Sequence, residues 1–112
     1  MFTTKIIEEV DKTHFSGIVE RHKEHIVVSP HACDHLSDAQ RKIFNEETLK
    51  GVILNQQPVG IGLQRNGRCA SFYKRKGGFL KIILAIKETQ LEIITFINTK
   101  TMPNLKRLSH DE

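Results

Sequence analysis

From Val59 onward the apolar residues take a period of two. Val59, Ile61 and Leu63 alternate with Gly60, Gly62 and Gln64, and Asn66-Gly67 follows. Such alternation marks a strand with one buried face. Asn-Gly is the strongest short hairpin signal, because both central residues of a type I′ turn take positive φ. Arg68 to Arg75 then reads as a second strand and Gly77-Gly78 as a second tight turn. Phe79 to Lys87 is a third strand, Glu88-Thr89 a third turn, and Gln90 to Ile97 a fourth strand. The half of the chain after Pro58 therefore specifies an antiparallel meander.

The half before it reads differently. Ser29-Pro30 suits a helix start, since Ser caps free amides and Pro fits the first turn. Ala32, Leu36, Ala39 and Ile43 then form one apolar helical stripe, which Ser37-Asp38 can divide. Asn45 before Glu46-Glu47 reads as a second cap with acids in the first turn, and Leu49, Val52 and Ile53 form that helix's apolar side. Phe15 to Glu20 and His25 to Val28 look like short strands, and Thr4 to Lys12 fits either a helix or a strand. The expected fold is α+β, with two N-terminal helices packed on a four-stranded antiparallel meander. Residues 25–98 make one domain. Residues 1–24 are an extension whose structure the pattern leaves open. Residues 99–112 are a polar tail, ordered only in part.

Two-residue turns would set Arg65 against Arg68, Ile61 against Phe72 and Lys76 against Phe79. One face then carries Val59, Ile61, Leu63, Ala70, Phe72, Ile83, Ile94 and Phe96, with Lys74, Lys76 and Lys81 at one end. The other carries Cys69, Ser71, Tyr73, Arg75, Leu80, Ile82, Leu84, Ile86, Ile93 and Thr95. The helices cover only one face. A one-residue slip in a turn would exchange part of these sets.

A chain of 112 residues has room for one domain. No run approaches the ~18 apolar residues of a membrane-spanning helix, so no membrane association is expected. Glu8, Glu9 and Asp11 interrupt the stretch where a signal peptide needs an apolar run, and Cys33 and Cys69 form no CxxC. A reduced, cytoplasmic protein is the expectation.

Charge is unevenly distributed. The chain carries a net +4 in total. Residues 48–87 hold eight bases (Lys50, Arg65, Arg68, Lys74, Arg75, Lys76, Lys81, Lys87) and no acid. Such a block is the footprint expected of a protein that meets a polyanion, most often nucleic acid. The competing reading is a solvated sheet whose lysines blunt its edges.

Several residues suggest chemistry. His31 and His35 are four apart, on one face if helical, but no third ligand accompanies them, so neither metal nor another cofactor is expected. One of them can instead carry a proton or contact phosphate. In Tyr73-Lys74-Arg75-Lys76 an aromatic ring sits among cations, a combination that stacks a base and holds phosphates. Arg75 also has the planar fork that matches phosphate oxygens. Arg65, Arg68, Lys74, Lys76 and Lys81 are the candidate nucleic-acid contacts. Thr95 lies mid-strand and, in the register above, shares a face with Tyr73 and Arg75.

The order of these features resembles the RelE/ParE toxin superfamily, and its BrnT-like and uncharacterised branches in particular. The resemblance rests on Ser29-Pro30-His31-Ala32 with Leu36, on Glu47-Thr48-Leu49 running into Ile53, on the basic strand Arg68 to Arg75, and on Ile93-Ile94-Thr95-Phe96. It spans about residues 25–98. It implies a small metal-independent ribonuclease, neutralised by an antitoxin protein, in which the RNA's own 2′-hydroxyl attacks the adjacent phosphate. His31 would be the general acid or base and Arg68 and Arg75 the phosphate stabilisers. Tyr73 would stack or orient, and Thr95 would be a hydrogen-bonding partner. Related toxins often end with a catalytic aromatic or basic residue, whereas Asn98 to Leu108 holds no aromatic. Two alternatives follow from the residues themselves: a nucleic-acid-binding module without catalysis, and an interaction protein or homodimer that uses an apolar sheet face.

Overall fold

A computed structural model describes residues 5–105. The elements run β1 (Ile6–Glu9), α1 (Lys12–Arg21), β2 (Ile26–Val28), α2 (Asp38–Ile43), α3 (Glu46–Asn55), β3 (Gly60–Gln64), β4 (Cys69–Arg75), β5 (Gly78–Ile86) and β6 (Leu91–Thr99). They form one six-stranded sheet in the order β1-β3-β4-β5-β6-β2. The meander β3 to β6 is present, but the expected four-stranded architecture with two helices is not. The sheet has six strands, it is mixed, and there are three helices among the described residues.

The difference lies in the N-terminal segment. Ile6 to Glu9 pairs antiparallel with β3 at one edge. Ile26 to Val28 pairs parallel with β6 at the other. The connection between them crosses the sheet as the helix α1, not as the strand expected at Phe15 to Glu20. Asp11 starts this helix: its carboxylate accepts from the His14 amide at 3.1 Å. Phe15, Ile18 and Val19 then bury one face at helical spacing.

The Ser29-Pro30 helix start is also corrected. Residues 30–35 are turns, and α2 begins only after Ser37. Ser37 and Gln40 form a reciprocal capping box, with the Ser37 hydroxyl accepting from the Gln40 amide and Gln40 Oε1 from the Ser37 amide. The break expected at Ser37-Asp38 is thus where a helix starts. The Asn45 cap of α3 forms as expected, and Leu49, Val52 and Ile53 are its buried residues.

Two of the hairpins depart from the expected register. Asn66-Gly67 lies in a three-residue loop, not a two-residue one. Only Gly67 takes a positive φ (89°), and the Gln64 amide donates to the Arg68 carbonyl. Ile61 therefore faces Ser71 and Leu63 faces Cys69, which moves β3's apolar side chains to the other face. The second hairpin turns at Lys76-Gly77, with Arg75 opposite Gly78. That offset is an even number of residues, so the faces of β4 and β5 stay as expected. The third turn forms at Glu88-Thr89, with the Lys87 amide donating to the Gln90 carbonyl at 2.9 Å. A register shift between Ile83 and Leu84 then re-aims the rest of β6.

The two faces have separate cores. On the inner face α1 and α3 pack over Ile61, Tyr73, Leu80, Ile82, Leu84, Ile93 and Phe96. On the outer face Ala70, Phe72 and Ile83 pack with Ile6 of β1 and with Leu105, which returns past the end of β6. A Cβ at Gly62 would lie 2.5 Å from Ile6 Cγ2, and one at Gly60 would lie 2.8 Å from Leu105 Cδ1. The glycines alternating along β3 are what let this cover settle on the sheet. Of the expected polar tail, Met102 and Leu105 belong to this cover, and residues 106–112 lie outside the described residues. No helix among the described residues is long and apolar enough to cross a membrane.

Candidate nucleic-acid interface

The eight cations of the acid-free block separate by environment. Lys50 pairs with Glu46 at 3.2 Å, and Lys87 with Glu92 at 2.7 Å. The other six form no ion pair with a described acid. They divide between the two ends of β4. Arg65 and Arg68 flank the Gly67 turn, while Lys74, Arg75 and Lys76 precede Gly77 and Lys81 follows it on β5. Six residues of strand separate Arg68 from Lys74, roughly 20 Å.

The end near Gly77 is the more organised. Strand pairing sets Lys74 opposite Phe79 and Phe72 opposite Lys81. All four side chains lie on the outer face. The Lys74 ammonium sits 4.8 Å from the Phe79 ring centre, and the Lys81 ammonium 5.7 Å from that of Phe72. Both distances lie within cation–π range. Phe72 is buried and Phe79 half-buried. Burial pushes the Lys81 pKa down, because its ammonium has lost part of its hydration. A phosphate beside Lys81 would restore the lost stabilisation. The sequence pattern groups Lys74, Lys76 and Lys81 at one end of this face and sets Phe79 opposite Lys76; the observed register sets it opposite Lys74 instead.

The four residues assigned to catalysis do not come together. Tyr73 is 1% exposed, inside the inner core. Its hydroxyl has no hydrogen-bond partner. The adjacent Ser71 hydroxyl donates instead to the Ile82 carbonyl at 3.3 Å. Burial pushes the Tyr73 pKa up to about 12, with Ser71 and the Arg75 charge pulling weakly the other way. Thr95 pairs with Ile83 on the outer face and is exposed. Arg75 lies at the hairpin end, where its guanidinium donates to the Lys74 carbonyl at 2.8 Å.

His31 stands in the turns after β2, with its side chain 85% exposed and its Nδ1 2.8 Å from Asp34 Oδ2. His35 packs on the Phe96 ring, 5.3 Å between centres, rather than stacking with His31 on one helix face. Cys33 is half-buried, and its thiol donates to the Phe44 carbonyl. Among the described residues, no three His, Cys, Asp or Glu side chains converge as metal ligands would.

The chain matches no family model, no curated protein and no solved structure.

Proposed function

We propose that this chain binds single-stranded nucleic acid, in the first instance RNA, on the outer face of its sheet near Gly77. The observation that supports this is the Lys74–Phe79 and Lys81–Phe72 lattice, which no described acid neutralises. Lys74, Lys76 and Lys81 hold the phosphates as point charges. Phe79 offers part of its ring to a base, and every base has a π-face to stack. Recognition of this kind is tolerant of sequence and sensitive to salt.

The ribonuclease implied by the RelE/ParE resemblance needs a proton carrier, a phosphate stabiliser and an orienting group around one phosphate. Tyr73 in the core and Thr95 on the opposite face do not offer that arrangement, so binding without cleavage is the favoured reading. Labelled single-stranded RNA incubated with the protein in EDTA tests it. Binding that weakens steeply with salt and leaves the RNA intact is the expected result. No binding at low salt overturns the proposal. Cleavage abolished by His31→Ala would replace it with the ribonuclease.

A further inference from the structure

The two edges of the sheet are protected to different degrees. At the β1 edge the strand carries Glu8 and Glu9, follows Lys5, and pairs through an irregular register. Charges and irregularities of this kind keep a sheet edge from pairing with another chain. At the β2 edge the cover is short. β2 pairs only with Leu91, Glu92 and Ile93, and the Ser29 amide adds one bond to the Ile93 carbonyl at 2.8 Å. The chain then leaves the edge in the turns of residues 30–35. From Ile94 to Thr99 no described strand lies on that side of β6. This open stretch reads ITFINT, with neither charge nor proline, and Ile97 is 54% exposed.

We infer that the open half of β6 pairs antiparallel with the same stretch of a second copy of this chain, about a two-fold axis at Ile97. The faces require an axis centred on a residue, and Ile97 is the centre that pairs the longest part of the open stretch clear of β2, which holds the edge as far as Ile93. Thr95, Ile97 and Thr99 point to the outer face, opposite Ile83, Lys81 and Phe79. Phe96 and Asn98 pair with Ile82 and Leu80 and point inward. A centre at Ile97 sets Ile97 against Ile97, Thr95 against Thr99 and Phe96 against Asn98, so every pair shares a face. It also stops the partner strand short of β2.

Charge does not oppose this choice. Ile94 then faces Lys100 of the other copy, and the paired stretch Thr95 to Thr99 carries no charge of its own, so no like charges are set directly opposite. Beside the junction on the inner side, His35, Gln40 and Phe44 line a groove with Phe96 and Asn98, which the partner's Phe96 and Asn98 approach.

Pairing would change the outer face as well. Phe72, Lys81 and Ile97 form one row across β4, β5 and β6. The axis continues it into Ile97, Lys81 and Phe72 of the second copy. The two Lys81 side chains would then be three strand spacings apart, about 14 Å. Self-association does not depend on nucleic-acid binding, and the two fail separately in the test.

The test is sedimentation of the full chain at up to about 100 µM, together with two variants at Ile97. The wild type is expected to be a dimer. Ile97→Lys, which sets a charge against its own copy on the axis, is expected to be a monomer with unchanged circular dichroism and retained salt-sensitive RNA binding. Ile97→Cys is expected to give a covalent dimer under mild oxidation, whereas Ile7→Cys, also exposed but on β1 at the opposite edge of the sheet, gives no more than the wild type. A wild type that stays monomeric overturns the inference. So does a dimer that Ile97→Cys fails to cross-link, and the cross-link decides if Ile97→Lys does not fold.

Discussion

Tyr73 and Thr95 lie on opposite faces of the sheet. Tyr73 is opposite Leu80 under the helices, and Thr95 is opposite Ile83 on the far side. Two-residue turns and an unbroken β6 would have placed them together. The shift between Ile83 and Leu84 exchanges the faces from that point on. Thr95 thereby joins the outer surface, and Phe96 takes the inner position against His35 and Phe44. The same shift gives Ile97 its outward place in the row with Lys81.

Tyr73 is the chain's one tyrosine, and there is no tryptophan. The rise in absorbance near 295 nm with pH therefore reports this hydroxyl alone. Its midpoint is expected near pH 12 in the folded protein and near 10 in denaturant. The folded value is the raised one. The associated stability is present in full below pH 10 and is lost as the pH climbs from 10 to 12, at most about 2–3 kcal/mol. A folded protein that titrates at 10 would place the phenol in water.

Tyr73→Phe removes a buried hydroxyl that has no partner. Its desolvation cost disappears while the ring stays packed, so the variant is expected to match or exceed wild-type stability, by up to about 1 kcal/mol. RNA binding should be unchanged. Urea denaturation and a binding titration check the two halves. A loss of more than about 1 kcal/mol would mean that the hydroxyl is hydrogen-bonded in solution.

What the sequence disclosed depended on how local each feature is. The Asn45 cap, the buried side of α3 and the Glu88-Thr89 turn depend on residues within a few positions of one another, and each formed as expected. The faces of β4 and β5 survived a two-residue change at Gly77 because the side-chain period is two. At Gly67 the slip was one residue, and β3 changed sides. The parallel pair of β2 with β6 joins residues more than 60 apart, and no local pattern encodes it. Phe15, Ile18 and Val19 carry a helical spacing inside a run short and apolar enough to read equally as a strand. The basic cluster at Lys74 to Lys81 is legible in the local sequence, whereas the burial of Tyr73 depends on which face of the sheet the helices cover.

Two glycines should respond oppositely to alanine. Gly17 lies mid-helix in α1, exposed, with nothing within 4 Å of an added Cβ. Gly17→Ala is expected to stabilise by about 0.5–1 kcal/mol through lower unfolded-chain entropy and better helix propensity. Gly62→Ala drives a methyl into Ile6 and Leu105, at an expected cost of about 1–3 kcal/mol. Urea midpoints give both. An unchanged Gly62→Ala would mean that the Ile6–Leu105 cover is loosely held.

The two basic ends of β4 should separate in a salt titration. A lysine that releases a counterion from single-stranded RNA contributes about 0.7 to the slope of log affinity against log salt. If Lys74 and Lys81 both hold phosphates, the double alanine variant should lower that slope by about 1.4. Arg65 and Arg68 lie roughly 20 Å away, beyond the reach of an oligonucleotide of about four nucleotides seated near Gly77. Their double alanine variant should leave the slope for such an oligonucleotide unchanged, and it should lower it only for RNA long enough to span the strand. Equal losses from both variants on the short oligonucleotide would mean that net charge, and not the Lys74–Phe79 and Lys81–Phe72 lattice, attracts the RNA.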